Sequence, residues 1–207
     1  MPDPINIDLS RRSRRLRVET LIKLRWLALL GQLMAIAVTY FGLHFRFPIG
    51  RCLLIIAVSG LLNVGLRLRF GRTERLEDAP AALLLAYDIV QLTALLYLTG
   101  GIQNPFLVLY LAPIIISAVS LSGRITSLLT LLMIAAVTAL TFRHYPLPWY
   151  PGEQLQLPWV YKAGIWIAIS LGAGFVAIYA SRVAVEARKL ADALAATELV
   201  IAREQHL

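Results

Sequence analysis

The chain carries one cysteine, Cys52, among its 207 residues, which excludes an intramolecular disulfide and any cysteine-rich metal site. Histidine is almost as scarce. His44 and His144 fall near the ends of apolar runs with no further nitrogen, oxygen or sulfur ligands beside them, so no metal centre is expected. Charge is sparse as well, at 15% of residues. The charges that exist are bunched between apolar runs, as a multi-span membrane protein requires if they are to stay out of hydrocarbon.

What fills the chain instead is apolar: 58% of residues are hydrophobic and the mean hydropathy is +0.71, well above a water-soluble domain of this length. Six apolar runs follow one another, at about 26–45, 52–66, 81–99, 106–121, 125–142 and 160–180. Several approach the roughly 20 residues needed to cross a bilayer, and the shorter second and fourth borrow flanking residues. The expected fold is therefore all-α, an integral membrane bundle of six transmembrane helices. A basic cytoplasmic arm (1–25) precedes the membrane domain (26–180), and a cytoplasmic signalling helix (181–207) follows it.

With the N-terminus in the cytoplasm, sixteen Lys and Arg fall on that side and Arg46, Arg51, Arg143 and Lys162 on the other, so the positive-inside rule sets both termini in. The net charge of +8 is explained by orientation and anionic lipid, with no nucleic-acid motif to accompany it. The arm does not read as a secretory signal, because no small-residue cleavage site follows its long basic region. Leu16, Val18, Leu21, Ile22 and Leu24 interleave with its bases, which suits either an amphipathic helix on the membrane face or a solvated arm.

Only at Gly100-Gly101-Ile102-Gln103-Asn104-Pro105-Phe106 do two long apolar runs meet through a short uncharged hinge. The glycines tolerate positive φ and so end one helix; Asn104 and Pro105 suit the N-cap and first position of the next. A well-capped turn accounts for this much. The same corner also gathers a flat aromatic, two carboxamides and a positive helix end. That set would suit a planar carbonyl compound such as a quinone, with Phe106 on the ring and Gln103 or Asn104 donating to an oxygen.

GGIQNPF resembles the GGxxNPF heptapeptide of the RegB/PrrB/ActS family of bacterial redox-sensing histidine kinases, matched at every specified position. The resemblance implies a ubiquinone site at Gly100, Gly101, Gln103, Asn104, Pro105 and Phe106, in the outer loop after the third span. It further implies a homodimer in the bacterial inner membrane, joined to a histidine kinase core that alone uses ATP and phosphorylates a DNA-binding response regulator. That core is expected to be absent from this chain, which is then no enzyme by itself. His206 lacks the acidic neighbour and downstream Thr-Pro or Asn-Pro of the family's phosphorylated histidine, and reads as a linker residue. Cys52 does not match the family's redox-active cysteine, which lies in the kinase portion.

Other polar residues fit either function or structure. Asp88, about two turns into the third run, is a functional candidate or a partner for Asn63 or a loop arginine; Asn63 and Gln91 suit interhelical hydrogen bonds. The Pro- and aromatic-rich segment 143–159 reads as an interfacial belt or as a lid over the heptapeptide. Ser170, Gly172, Ala173, Gly174 and Ala177 give the last span a small-residue face for close packing within or between chains. Beyond it, residues 181–207 contain no Gly or Pro, and Val183, Ala187, Leu190, Leu194, Thr197 and Ile201 suit either a weak two-helix seam or a lone surface helix. Two rival functions are a small multi-span transporter and a quinone-interacting oxidoreductase subunit. The first would need a polar path, and the second paired histidine or cysteine ligands in the spans.

Overall fold

A computed structural model describes residues 18–69, 77–150, 153 and 155–204. The arm ahead of Val18, the loop arginines Arg72 and Arg75, and His206 lie outside them, so the expectations placed there have no structural counterpart. Helix α1 (Val18–Ala37) ends in a π-helical turn (Val38–Gly42); α2 (Ile49–Arg69) and α3 (Asp78–Leu98) follow. Two 3-10 stretches, Gly101–Gln103 and Pro105–Tyr110, lead into α4 (Leu111–Ser120), and α5 (Gly123–Phe142) and α6 (Trp159–Glu204) complete the bundle. Among the described residues there is no strand.

Among the described residues five helices are long and apolar enough to cross a membrane, where six were expected; the fourth apolar run forms the shorter Pro105–Ser120 segment. Its winding explains the difference. Pro113 has no amide to give the Leu109 carbonyl, and the Leu111 amide instead reaches back three residues to Val108, as in a 3-10 turn. At about 2.0 Å rise per residue in the 3-10 part and 1.5 Å in α4, the segment extends about 27 Å, close to the roughly 30 Å of a hydrocarbon core. The second run does borrow its flanks, α2 reaching 21 residues.

The first helix starts earlier than its apolar run. Leu21 and Ile22 are buried in the main core, so the last residues of the basic arm form the first turns of α1. Helix α1 packs on α2, α3 on α5, and both α4 and α5 on α6. The main core joins α3, α4 and α5 around Leu85, Ile89, Tyr110, Ile114 and Met133, while a second cluster around Cys52, Ile36 and Leu98 closes the end of the bundle that carries the heptapeptide. Tyr110 is fully buried, and its hydroxyl meets Thr93 Oγ1 at 2.7 Å, fixing the 3-10 segment to α3. On α6, Ala173 is buried against the bundle, whereas a Cβ at Gly172 or Gly174 would meet nothing within 4 Å. The continuation of α6 without a break to Glu204 follows the absence of Gly and Pro there.

Candidate functional site

The corner between α3 and α4 is built by its own polar groups. Gly100 takes φ +116° and Gly101 φ +58°, turning the chain out of α3. Asn104 caps the next segment, its Oδ1 accepting the Phe106 amide at 2.9 Å, while its Nδ2 donates to both the carbonyl and the hydroxyl of Thr99 at 2.9 Å. The Asn104 amide thus donates to Thr99 across the corner, using the donor capacity that the sequence reading assigns to a ligand carbonyl. Asn104→Ala is expected to lower stability by about 1–2 kcal/mol through loss of the cap and staple, with Asn104→Asp falling between it and wild type, read as thermal unfolding of the purified chain.

Residues 143–148 lie on this corner. A Cβ at Gly101 would stand 2.4 Å from His144 Cγ, and one at Gly100 would stand 2.9 Å from Leu147 Cα. The Tyr145 amide donates to the Tyr97 carbonyl at 2.8 Å and Arg51 donates to the Tyr145 hydroxyl at 3.0 Å, while Trp149 and Tyr150 pack on Phe45. Residues 144–147 thus touch the heptapeptide and the end of α3, while Trp149, Tyr150 and Trp159 keep exposed faces. Ile102 is buried in the core, the Gln103 Oε1 is buried without a hydrogen-bond partner, and Phe106 is 44% exposed.

Beneath the corner runs an elongated cavity of about 470 Å³ between α1, α3 and the Pro105–Ser120 segment. Thr99, Asn104 and Phe106 wall one end; Gly100, Gly101, Gln103 and Pro105 do not reach it. Most of its lining is aliphatic. Its volume and its few convergent polar groups are those of a small-molecule site.

Those polar groups sit deeper. Arg25 Nη1 donates to Asp88 Oδ1 at 2.5 Å, and its guanidinium lies 5.4 Å from the centre of the Tyr87 ring, whose hydroxyl meets Ser59 Oγ at 2.8 Å. Between this pair and the corner, Gln91 Nε2 donates to Gln32 Oε1 at 2.8 Å. Asn63 Nδ2 donates to the Ile22 carbonyl at 3.1 Å. The interhelical roles expected of Asn63 and Gln91 are therefore met, and Asp88 has a partner that was not among those expected. It is Arg25, the last base of the arm, which helix α1 carries into the bundle.

Arg25 and Gln32 are the residues that sequence reasoning missed. Their spacing of seven puts them on one face of α1, and Asp88 and Gln91, three apart, share a face of α3. Base opposite acid and carboxamide opposite carboxamide in two apolar runs was the available signal.

The PilS-like transmembrane domain family matches residues 9–192. The sensor histidine kinase RegB of Cereibacter sphaeroides is 42% identical over 191 residues, covering 92% of this chain and 41% of that protein. RegB from a designated strain of the same species is 41% identical over 206 residues, covering 100% of this chain and 44% of that protein. The chain thus spans about two fifths of the length of these curated relatives, and no solved structure matches it. The matched span takes in the corner, the cavity and all six helical segments as far as residue 192, and the chain belongs to the PilS-like transmembrane domain family and, within it, to the RegB-type membrane sensor region.

Proposed function

We propose that this chain is the redox-sensing membrane portion of a sensor histidine kinase, taking a lipid-soluble quinone, ubiquinone or a close relative, into the cavity beneath the GGIQNPF corner. The observation that carries the reading is the cavity itself, an apolar space of about 470 Å³ with Phe106 and Asn104 of the heptapeptide at one end. Phe106, 44% exposed, offers a face for a ring; Asn104 holds the corner in shape and Gly100 and Gly101 let residues 143–148 close on it.

The same segment supports a route for the signal. The chain leaves Phe106 directly into α4, α4 packs along α6, and the Arg188 guanidinium of α6 donates to the Val119 carbonyl near the end of α4. A ligand that prefers one seating of α4 biases α6 by its differential affinity for the two arrangements, and about 1.4 kcal/mol is a tenfold change in output. In this reading the chain crosses the bacterial inner membrane six times with both termini in the cytoplasm. Helix α6 pairs with that of a second copy through the exposed Val183, Leu190 and Leu194, and the longer protein carries the ATP-dependent kinase and its response regulator.

The test is binding of a short-tailed ubiquinone to the purified chain in bilayer nanodiscs, followed by tryptophan fluorescence. Wild type is expected to saturate and Phe106→Ala to bind roughly tenfold more weakly, because a ring contact is worth about 0.5–1.5 kcal/mol beyond the area it buries. Equal binding by both would remove Phe106 from the site.

A further inference from the structure

The cavity is least satisfied at the end away from the heptapeptide. Arg25 is 5% exposed, lines the cavity, and has an Nε–H with no hydrogen-bond partner. A buried donor left unpaired is costly, more so on a charged group, and an acceptor arriving in the cavity would relieve it. Toward the heptapeptide from it, Gln32 lies two turns on along the same face of α1 and Gln91 one turn from Asp88 on α3, and the two bond chiefly to each other. A reciprocal carboxamide pair satisfies itself in an empty cavity and can turn either its oxygen or its amide to a guest.

We infer that the rung formed by Arg25, Gln32 and Gln91 is the seat of the ligand's ring oxygens, and that the heptapeptide is the mouth through which the ring passes. The inference rests on the quinone reading of the cavity and moves the ring from Phe106 to a seat about 12 Å deeper, the length of α3 between Thr99 and Gln91, so that Phe106 packs on the tail at the mouth. An anionic headgroup does not suit this seat, because the Asp88 carboxylate already balances the guanidinium at 2.5 Å and would repel a second anion. A neutral ring bearing carbonyl or hydroxyl oxygens meets the orphan N–H and the carboxamides without adding charge, and the aliphatic walls between rung and mouth accept its tail.

The experiment is photolabelling of the chain in nanodiscs with a short-tailed azidoubiquinone, with decylubiquinone as competitor and the labelled peptides mapped by mass spectrometry. Competed label is expected on residues 25–32 and 88–92, and Gln32→Leu and Gln91→Leu are each expected to weaken decylubiquinone binding about tenfold. Competed label confined to residues 104–109 would overturn the inference while leaving the quinone reading intact. No competed label anywhere on wild type would overturn both. The mapping uses the wild-type chain, so it decides even if a glutamine variant fails to fold.

Discussion

Replacing Asp88 by alanine is expected to destabilise the bundle by about 3 kcal/mol or more, the largest effect of any single polar substitution in it. Removing one partner of a buried ion pair leaves the other charge uncompensated, which typically costs about 3–5 kcal/mol. Arg25 is 5% exposed and Asp88 25%, so the charge left behind would be the deeper of the two. Its second support, the Tyr87 ring at 5.4 Å, offers a desolvated cation about 2 kcal/mol and does not replace a carboxylate. The pair itself is a different matter. Exchanging both members for apolar residues of similar volume, Arg25→Met with Asp88→Leu, removes two desolvation penalties together and is expected to return stability to within about 1 kcal/mol of wild type. Unfolding of Arg25→Met, Asp88→Leu and the double variant in detergent closes a mutant cycle, with Asp88→Ala measured beside it. A double variant as unstable as the Asp88→Ala single would show that the destabilisation comes from lost packing, with no part in it for the unpaired guanidinium.

Much of the bundle could be read from hydropathy because lipid leaves so few options. A long apolar run must satisfy its backbone internally and so must be helical, and the unbroken exit of α6 followed from the lack of Gly and Pro in 181–207. What hydropathy does not encode is winding. The Pro105–Tyr110 segment is as apolar as its neighbours, and hydropathy carries no trace of the amides missing at Pro105 and Pro113 that flank its 3-10 winding. The corner was legible as an N-cap and a glycine stop, since these are local. Its partners were not, because His144 and Leu147 arrive from a segment some forty residues away. The deep polar pairs were hidden for a further reason. Arg25 stands at the end of a basic arm, where a base usually fixes orientation, and Gln32 is a lone carboxamide until α3 brings Gln91 to it.

Gly100→Ala and Gly101→Ala are both expected to cost about 2–4 kcal/mol, but only the second should be open to rescue. At Gly101 the backbone sits at φ +58°, a left-handed conformation that an L residue adopts for about 1–2 kcal/mol. The remainder comes from the added Cβ, which would stand 2.4 Å from His144 Cγ and 2.5 Å from His144 Cβ. Because the clash includes the Cβ, His144→Ala would not relieve it; His144→Gly would, leaving only the backbone strain. At Gly100 the φ of +116° is harder for any side chain, and the nearest fixed atom is Leu147 Cα at 2.9 Å, which no substitution at 147 removes. Melting temperatures of the two alanine variants, alone and with His144→Gly or Leu147→Gly, therefore separate two costs that share one dipeptide. Recovery of Gly101→Ala by His144→Gly, with no recovery of Gly100→Ala by Leu147→Gly, is the expected pattern. If neither recovers, residues 143–148 do not press on the corner as described. Since neither glycine reaches the cavity wall, their place in the heptapeptide follows from this seam between α3 and the 143–148 segment, and any loss of quinone binding in the variants should scale with the loss of stability.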